Sequence, residues 1–596
     1  MNACRAGLSS PRKTRLMWLA KVAGLGVNVV ALTACEDGPA AAAPPPLGVA
    51  SMSMEAGDHQ VGEVGTVLAQ PIVVRLTDAI GAPVAGHTVR FAGSSGALVF
   101  YAQSNALGLA LAFWQLAERA GPQTVQVSVE EHFVLPVTFN AVGIAGAPAS
   151  ISAPAIGDAA AVMGAELDTL TVIVSDRFAN SVENSPVSWS VVAGGGSIRP
   201  LATHSDGLGR ARAVWTLGPA VGAQRVIVTS GAASRAVNAT AVPALVGRQV
   251  VAGSDHSCAL VDDGTALCWG ANWAGQLGIG QADRNPHRLA EAVVGGLKFK
   301  SLAAGASHTC GLTFDGAAWC WGDESATPTR IPGAPLAFSE IAAGAFHTCG
   351  LTTSGAVYCW GDNSLGQLGN GADRSAPAPY FGLRQPTPTR VVGSQTFTSI
   401  TAAYAITCGA TTAGVAYCWG ENADRVLGSV ATQTCRLVFD EYYGEKYYSD
   451  QPCSTSPQFV LTKTGVSSVV SWQDGACAIL TTAELECWGH RTNPTVVPGA
   501  SVTSAWLLWG TVCALETSGT VSCWSVNAPF AAEQPFGQGL TLVDLHSSGR
   551  HHCGLERGAG TVYCWGSNFD GALGDGTTRH RELPVAVAAS IGARSP

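Results

Sequence analysis

The sequence predicts an all-β protein with a duplicated segment in its first half and a sevenfold repeat in its second half. Residues 48–143 and 148–243 match each other in short β-branched runs, and a pair of cysteines recurs seven times beyond residue 250. The composition agrees, because 13% charged residues and 71 glycines suit β-structure with many tight turns. An apolar content of 47% excludes the disordered class, and a net charge of −9 disfavours nucleic acid as the main partner.

The first 47 residues carry an export signal and a tether. Within residues 1–35, a basic head precedes an apolar run at 22–30 and the ending Leu32-Thr33-Ala34-Cys35. A short apolar stretch that ends in small residues predicts a signal peptide, not a membrane span. The ending resembles a bacterial lipobox, which implies that Cys35 receives the lipid; an ordinary cleaved signal with a chance cysteine is the alternative. Residues 36–47 are rich in Ala and Pro and are expected to form an extended tether.

Two segments of the first half share the pattern of a β-sandwich. Residues 72–78 match 170–176, and residues 108–114 match 209–215. Such short β-branched runs, separated by Gly, Asn and Pro, are typical of sandwich strands. Trp114 and Trp215 end the second matched run and are expected to lie in the two cores.

These segments resemble bacterial immunoglobulin-like domains of the intimin and invasin type. The resemblance rests on an Asp-x-x-(Gly/Ala)-x-x-Val turn and a Gly-x-Ala…Trp strand, and covers 48–143 and 148–243. It implies two immunoglobulin-like β-sandwiches that act as rigid spacers, with adhesion as the alternative. We favour spacers, because no charged or aromatic cluster in the sequence marks a binding edge.

Fourteen of the 18 cysteines form seven evenly spaced pairs. Between Cys258 and Cys268, apolar arms flank a three-residue loop that ends in Gly264, the residue that a left-handed loop position favours. In the fifth copy Ala483 stands at this position. A separation of ten residues places the two cysteines opposite each other, about 4.5–5.5 Å apart at Cα, so we predict one disulfide in each hairpin. The predicted bonds join Cys258 to Cys268, Cys310 to Cys320, Cys349 to Cys359, Cys408 to Cys418, Cys477 to Cys487, Cys513 to Cys523, and Cys553 to Cys564.

Other uses of paired cysteines fit this pattern less well. Zinc sites prefer two to four residues between their cysteines, and no Cys-x-x-Cys redox motif is present. Helical Cys-x9-Cys pairs also exist, but a glycine in mid-loop and β-branched arms disfavour a helix. Disulfides need an oxidising compartment, which agrees with the export signal.

A longer repeat surrounds each cysteine pair. Its fullest copy runs from His347 to Gly369, and its Trp-Gly and Gly-x-Leu-Gly elements recur at 268–278 and 564–574. The pattern resembles the regulator-of-chromosome-condensation repeat over residues 246–593, which implies a seven-bladed β-propeller of four-stranded blades. The repeat period agrees with a propeller. We further predict that residues 248–253 form a strand that completes the last blade beside 583–587 and closes the ring.

A histidine and a tryptophan recur at fixed positions of the repeat, and we expect both to have structural roles. His256, His308, His347 and His551 lie two residues before a cysteine, and a metal is the alternative to the structural role we expect. The tryptophan after each second cysteine is expected to pack between blades and not to stack on sugars. These tryptophans are Trp269, Trp321, Trp360, Trp419, Trp488, Trp524 and Trp565. Copies five and six lack the Gly-Gln-Leu-Gly element.

An insertion at 429–458 is the candidate binding loop. Cys435 and Cys453 flank it and are predicted to form an eighth disulfide. Four tyrosines lie between them, and tyrosines are common interface anchors. A surface loop without a binding role is the alternative. The candidate binding residues are Tyr442, Tyr443, Tyr447 and Tyr448.

No catalytic motif was found, so the sequence predicts binding and no catalytic residue, cofactor or metal. We expect a non-enzymatic bacterial lipoprotein of the outer membrane or cell surface, or of the periplasm. Its propeller would bind an extracytoplasmic protein or glycan and no nucleic acid, and the lipid anchor alone would hold it to the membrane. The resemblance also leaves open an inhibitor of a secreted enzyme such as a β-lactamase, and a propeller lyase.

Overall fold

The computed structural model is all-β in the part of the chain that it describes, apart from one 3-10 turn at Ala423–Arg425. None of its helices is long and apolar enough to cross a membrane, judged over the same residues. The signal peptide, Cys35 and the tether lie outside this part. The described residues are 48–93, 99–130, 134–153, 159–323, 325–333, 337–373, 378–379, 384–429, 433–439, 447–460, 462, 464–473, 475–489, 492–497, 501–508, 511–525, 532–536, 540–547 and 550–590.

One compact unit comprises residues up to 59 together with 69–114 and 124–140. Its side chains alternate between buried and half-buried along Ile72–Thr77, as expected for a sheet with one face on a core. Trp114 is buried. One sheet has the strand order Ser51–Ala56, Ile72–Thr77, Leu109–Ala112. In the other, Thr88–Gly93 lies between Val99–Gln103 and residues 125–129 of Gly121–Val129.

This unit exposes aromatic side chains. Phe100 and Tyr101 are 42% and 57% exposed, and Phe113 is 58% exposed. Val99–Gln103 is the last strand of its sheet, where solvent reaches both faces, and the sequence pattern does not reveal which strand lies at an edge. Because successive side chains of a strand point to opposite faces, Phe100 and Tyr101 are exposed on opposite faces of this edge strand.

A second compact unit contains residues 60–68, 115–123 and everything from 141 onward. Gln60–Glu63 pairs in parallel with residues 141–144 of Val137–Ile144. Two four-stranded sheets follow, and Trp215 is fully buried in the core that they share. One sheet has the order Gly196–Pro200, Arg210–Leu217, Leu170–Ser175, Ser150–Ser152. The other has the order Ala159–Val162, Ala233–Val242, Gly222–Ser230, Ser188–Ala193.

Seven sheets follow in the described part of the second half, and each contains four antiparallel strands in chain order; we call them blades 1 to 7, and the sheet of blade 4 has two further strands. The strands of blades 1 to 3 are Gln249–Ala252, His256–Leu260, Ala266–Gly270, His287–Ala292; Phe299–Ala304, His308–Thr313, Ala318–Gly322, Ser325–Arg330; and Phe338–Ala343, His347–Thr352, Val357–Asp362, Arg384–Arg390. Those of blades 4 and 5 are Phe397–Ala403, Ile406–Thr411, Ala416–Glu421, Tyr447–Phe459; and Val466–Trp472, Gly475–Leu480, Leu485–Gly489, Thr492–Val496. Those of blades 6 and 7 are Val502–Leu508, Thr511–Glu516, Val521–Ser525, Ala532–Phe536; and Leu542–Ser547, His551–Glu556, Val562–Gly566, Arg581–Ala586.

The strand order gives the propeller two distinct faces. Because successive strands are antiparallel, the first-to-second and third-to-fourth connections of every blade leave at the same end. We call this end the upper face. The cysteine hairpins, which join the second strand to the third, turn at the lower face. The insertion at 429–458 is a third-to-fourth connection and therefore belongs to the upper face.

The ring closes differently from the predicted way. Gln249–Ala252 pairs with the second strand of blade 1, and the last blade has its own first strand, Leu542–Ser547. The prediction that residues 248–253 complete the last blade is therefore wrong; the strand pairs with the hairpin nearest to it in the chain, which needs the smaller loop closure. Leu245 makes the link instead, because its N–H donates to the Val587 carbonyl at 2.7 Å and its carbonyl accepts from the Val562 N–H at 2.9 Å.

The second sandwich packs directly on blades 7 and 1. Val162, Val242 and Ala588 form one buried apolar cluster. Beside it, the Arg581 guanidinium donates to the Asp575 carboxylate at 3.0 Å and to the Glu166 carbonyl at 2.9 Å. Because Asp575 is 2% exposed at its side chain, this ion pair is shielded from water. The contact is thus both apolar and charged.

Candidate binding face of the propeller

Each cysteine hairpin carries a disulfide in the structure. Cys258 and Cys268 are direct partners across the first hairpin, and their Cα atoms lie 4.1 Å apart. In the other six hairpins the Cα atoms of the bonded cysteines lie 4.0–4.1 Å apart. These six bonds join Cys310 to Cys320, Cys349 to Cys359, Cys408 to Cys418, Cys477 to Cys487, Cys513 to Cys523, and Cys553 to Cys564. All seven predicted hairpin pairings are therefore present.

The Cα separation in these hairpins is shorter than the spacing argument gave. We expected about 4.5–5.5 Å for opposed residues, and the structure has 4.0–4.1 Å, because the bond draws the two strands together locally. An eighth disulfide joins Cys435 to Cys453, with 5.8 Å between the Cα atoms. The number of disulfides indicates an extracellular or otherwise oxidising compartment.

The last residue of each hairpin loop adopts left-handed backbone geometry. Gly264 and Gly355 have φ of 85° and 81°, and Ala483 has φ of 65° at the same loop position. A residue with a Cβ atom meets a steric clash there that glycine avoids. Blade 5 therefore contains a strained turn at a position where other blades have glycine.

The four repeated histidines form hydrogen bonds between neighbouring blades. His256 Nε2 lies 2.8 Å from Thr309 Oγ1 of the next blade, and that hydroxyl donates to the Gln276 carbonyl at 2.9 Å. Because the hydroxyl proton is used there, the imidazole donates from Nε2. The equivalent contacts join His308 to Thr348 at 2.9 Å, His347 to Thr407 at 2.8 Å and His551 to Ser257 at 2.7 Å. The junctions that begin at blades 4, 5 and 6 have Ile406, Gly475 and Thr511 instead.

Burial explains the protonation state of these histidines. It lowers the pKa of His256, His347 and His551 to about 3, so all three are neutral at physiological pH. A glycine three residues earlier makes room for the ring: a Cβ atom on Gly253 or Gly344 would lie 2.2 Å from the imidazole Cε1. Over the described residues, no cluster of three or more His, Cys, Asp or Glu is placed to hold a metal. The structure thus gives the histidines a structural role.

The repeated tryptophans fill the spaces between blades. Trp269 Nε1 donates to the Ala572 carbonyl at 2.8 Å, and Trp419 Nε1 donates to the Gln367 carbonyl at 3.0 Å. Both carbonyls belong to the Gly-x-Leu-Gly element of the preceding blade, which accommodates the next blade's indole. Sequence reasoning missed that blade 2 also lacks this element. The seven tryptophans are all buried, as expected for packing between blades.

The insertion of blade 4 forms a stapled hairpin on the upper face. Gln433–Phe439 pairs antiparallel with Tyr447–Phe459, which is also the outer strand of the blade. Ala378–Pro379, from the third-to-fourth connection of blade 3, adds a further strand in parallel. Ala378–Pro379 and both strands of the hairpin therefore belong to one six-stranded sheet with blade 4.

The base of this hairpin is anchored in the propeller. The disulfide partners Cys435 and Cys453 are buried, and together with Leu437 they pack against Leu365 of blade 3 and Ala405 of blade 4. Arg436 and Asp450, opposite each other in the register, form an exposed ion pair at 2.9 Å. The disulfide and the apolar contacts hold the hairpin in a defined position.

The four candidate tyrosines fall on this hairpin in two groups. Tyr447 and Tyr448 begin its second strand, in register with Phe439 and Val438. Tyr442 and Tyr443 lie outside the described residues. The described strands thus place Tyr447 and Tyr448 beyond the stapled base, on the side of the hairpin tip.

Sequence reasoning also missed a repeated contact between the first strands of neighbouring blades. Gln249 accepts from the Leu302 N–H at 2.9 Å and donates to the Leu302 carbonyl at 3.2 Å. Glu340 has the same repeat position, and its carboxylate accepts from the Ile400 N–H at 3.5 Å. Burial raises the pKa of Glu340 to about 7, and the bond from Ile400 lowers it by less. The glutamate thus stands where blade 1 uses a neutral amide.

Comparisons with known proteins find a known repeat in several segments of the second half. The "Regulator of chromosome condensation (RCC1) repeat" matches residues 248–276, 299–326 and 338–367 in one form, and 263–312, 354–411 and 559–594 in another. The ultraviolet-B receptor UVR8 of Arabidopsis thaliana is 35% identical over 77 residues, which is 13% of this chain and 17% of the receptor.

Two solved structures are similar over about half of the chain. Human WBSCR16 is 17% identical, with 54% of this chain and 94% of that chain covered at a TM-score of 0.44. Prp20p of Saccharomyces cerevisiae is 16% identical, with 58% of this chain and 77% of that chain covered at a TM-score of 0.35.

Seven four-stranded blades in a closed ring define the second half as a seven-bladed β-propeller. RCC1 repeats are matched in its blades 1 to 4 and 7, and every described cysteine hairpin contains a disulfide.

Proposed function

We propose that this chain is an exported, non-enzymatic binding protein. Its propeller binds a protein or glycan partner through the stapled hairpin of blade 4, and Cys35 anchors it as a lipoprotein at the outer membrane or cell surface of a bacterium. The disulfides support an oxidising compartment. The signal sequence, which lies outside the described residues, supports export.

One observation carries the binding proposal. The hairpin at 433–459 is an addition to a repeat that is complete without it, yet a disulfide, a third strand and a buried apolar base hold it in place. A segment so firmly positioned binds with little loss of conformational freedom. Tyr447 and Tyr448 begin its second strand, and tyrosines are residues that such interfaces use as anchors.

The immunoglobulin-like domains serve as the spacer in this proposal. The direct packing of Val162 and Val242 on Ala588 supports a fixed attachment of the second domain to the propeller. The exposed Phe100, Tyr101 and Phe113 favour adhesion by the first domain as a second candidate.

Replacing residues 438–448 by Asn-Gly tests the proposal. Leu437 and Ser449 are opposed, so a two-residue turn closes the shortened hairpin, removes all four tyrosines and keeps the Cys435–Cys453 disulfide. A control in which all four tyrosines become serine keeps the length.

The mature full-length proteins, immobilised, are incubated with the cell-envelope and secreted fractions of the source bacterium. We expect one partner that the parent retains and that both variants lose. Equal retention by all three proteins contradicts the proposal. Inhibition of a β-lactamase by the parent, or turnover of a polysaccharide, would instead support the inhibitor or the lyase.

A further inference from the structure

Two aromatic side chains project from the upper face at blades 7 and 1. Trp273 follows the third strand of blade 1, and Phe569 has the same repeat position in blade 7. They are 54% and 82% exposed. Blades 7 and 1 are neighbours in the closed ring, and Gly571, two residues after Phe569, lies against the outer strand of blade 1, where its Cβ would be 2.9 Å from the His287 carbonyl oxygen. The two loops therefore lie on the same face of neighbouring blades, and each presents an exposed aromatic ring.

The loops that carry these aromatics are rigid. The residue before each aromatic is an asparagine, Asn272 or Asn568, and each of these asparagines is 1% exposed. Asn568 accepts from the Leu573 N–H at 2.9 Å and donates to the Thr577 carbonyl at 3.0 Å. Because the backbone is fixed by these bonds, the exposed rings are not part of an unstructured segment. A partner that covers them therefore binds with little loss of loop entropy.

The same repeat position is covered elsewhere in this chain. In blade 3 it holds Ser364, which is 1% exposed, and the next residue, Leu365, packs against Cys435 and Leu437 of the hairpin of blade 4. The hairpin of blade 4 thus packs on the loop that carries this position in blade 3. At the junction of blades 7 and 1, no described segment covers Phe569.

Charged groups beside the aromatics indicate what the partner carries. Asp570 follows Phe569, and the negative charge of Asp255 acts on it together with the positive charge of Arg550. Arg550 is paired to Asp255 at 2.9 Å, and its side chain is 66% exposed. Asp570 and Asp255 thus outnumber Arg550 in this group, which leaves a net negative charge next to the Phe569 ring. Lysine and arginine side chains are attracted to both.

We propose that Trp273 and Phe569 form a second docking surface, which binds an extended segment of a partner protein with a lysine or arginine between apolar residues. The surface is separate from the hairpin of blade 4, so the inference holds whether or not that hairpin binds. Aromatic anchors that are buried on binding contribute much of the affinity of such contacts.

A phage-displayed library of random linear peptides, selected on the mature full-length protein, tests this inference. We expect the selected peptides to combine a basic residue with apolar neighbours. Trp273→Ala and Phe569→Ala should each weaken their binding by at least about tenfold, and Asp570→Asn should weaken it less. Phe314→Ala is the matched control, because Phe314 is 65% exposed in a hairpin at the lower face.

Both aromatic substitutions remove exposed side chains, so the melting temperature should stay unchanged and binding can be read without loss of fold. Failure to select peptides, or peptides that bind the Trp273 and Phe569 variants as well as the parent, overturns the inference. Peptides that lose binding only when residues 438–448 are replaced would support the hairpin of blade 4 and contradict the second surface.

Discussion

His551 Nε2 in the last blade lies 2.7 Å from Ser257 Oγ in the first blade. The same contact joins blade 1 to 2, blade 2 to 3 and blade 3 to 4, so the junction that closes the ring has the contact of these three internal junctions. Ser257 also donates to the Ala572 carbonyl at 3.1 Å, which Trp269 Nε1 shares. These side-chain contacts join the ends of the propeller together with the backbone bonds of Leu245, and no strand is exchanged.

Removing the Ser257 hydroxyl should weaken the closing junction. Ser257→Ala takes away the contact of the buried His551 and the bond to Ala572, and we expect a loss of about 1–3 kcal/mol. Urea unfolding followed by tryptophan fluorescence measures it, since most tryptophans lie in the propeller. Ser467→Ala, which removes a bond within one blade at a half-buried site, is the control. Equal losses for the two variants would show that the closing contact has no special weight.

Glycine at position 483 should stabilise blade 5. Ala483 has φ of 65°, whereas five other blades have glycine at this loop position. Ala483→Gly removes a steric cost of about 1–2 kcal/mol from the folded state. Glycine also raises the conformational entropy of the unfolded chain, which offsets part of this effect, so we expect the free energy of unfolding to rise by about 1 kcal/mol or less. Gly355→Ala should destabilise blade 3 by a similar amount. A lower unfolding midpoint for Ala483→Gly would refute this reading of the turn.

Acid should destabilise the propeller through its buried histidines. The pKa of His347 is lowered to about 3, against 6.5 for the unfolded chain, so the folded state excludes a proton that the unfolded state binds. The contribution of this histidine to stability is therefore fully present above pH 6.5 and is lost as the pH falls towards 3. The free energy of unfolding decreases by about 1.4 kcal/mol per pH unit for each such histidine.

His347→Ile tests this slope, because blade 4 has Ile406 at the same position. The variant should be somewhat less stable than the parent at pH 7.5. Below pH 6 its free energy of unfolding should decrease less steeply with falling pH, because one buried histidine no longer contributes to the slope. Unfolding free energies at several pH values supply the comparison. An unchanged slope would mean that His347 titrates normally in the folded protein.

Glu340 should have the opposite pH dependence. Its pKa is raised to about 7 from an ordinary 4.5, so its contribution is present below pH 4.5 and is lost as the pH rises through 7. Glu340→Gln removes the buried charge and reproduces the two bonds of Gln249 to its neighbouring blade. We expect the variant to exceed the parent by about 3 kcal/mol at pH 8 and to differ little at pH 4. Gln249→Glu is the reciprocal control, and a gain that is equal at both pH values would contradict a buried, titrating Glu340.

The features that the sequence predicted are those set by local chemistry. The spacing of Cys258 and Cys268 about a glycine turn is a property of one hairpin, and the buried Trp269 follows from the same repeat. The closing contact of Leu245 and the bonds of Arg581 to Glu166 join residues far apart in the chain. A repeating sequence pattern does not indicate which distant residues contact each other. The prediction that residues 248–253 complete the last blade was therefore wrong, and the packing of the second sandwich on blades 7 and 1 was missed.

The candidate sites divide in the same way. The insertion was visible as an interruption of the repeat, and its two cysteines predicted the staple that the structure contains. That Ala378–Pro379 of the other excursion adds a strand to it depends on the ring, which brings blades 3 and 4 together. The exposure of Phe569 could not be predicted, because the same repeat position is buried in blade 3 as Ser364.

Disulfide mapping of the mature protein determines whether the propeller is cross-linked in every cysteine hairpin. Free thiols are blocked in the unreduced, denatured protein, which is then digested and analysed by mass spectrometry. We expect seven disulfides within hairpins, of the type that joins Cys258 to Cys268, and an eighth between Cys435 and Cys453. No cysteine beyond residue 250 should carry the blocking group. Blocked thiols at the hairpin positions, or cysteines protected only until a chelator is added, would contradict both the stapled propeller and its oxidising compartment.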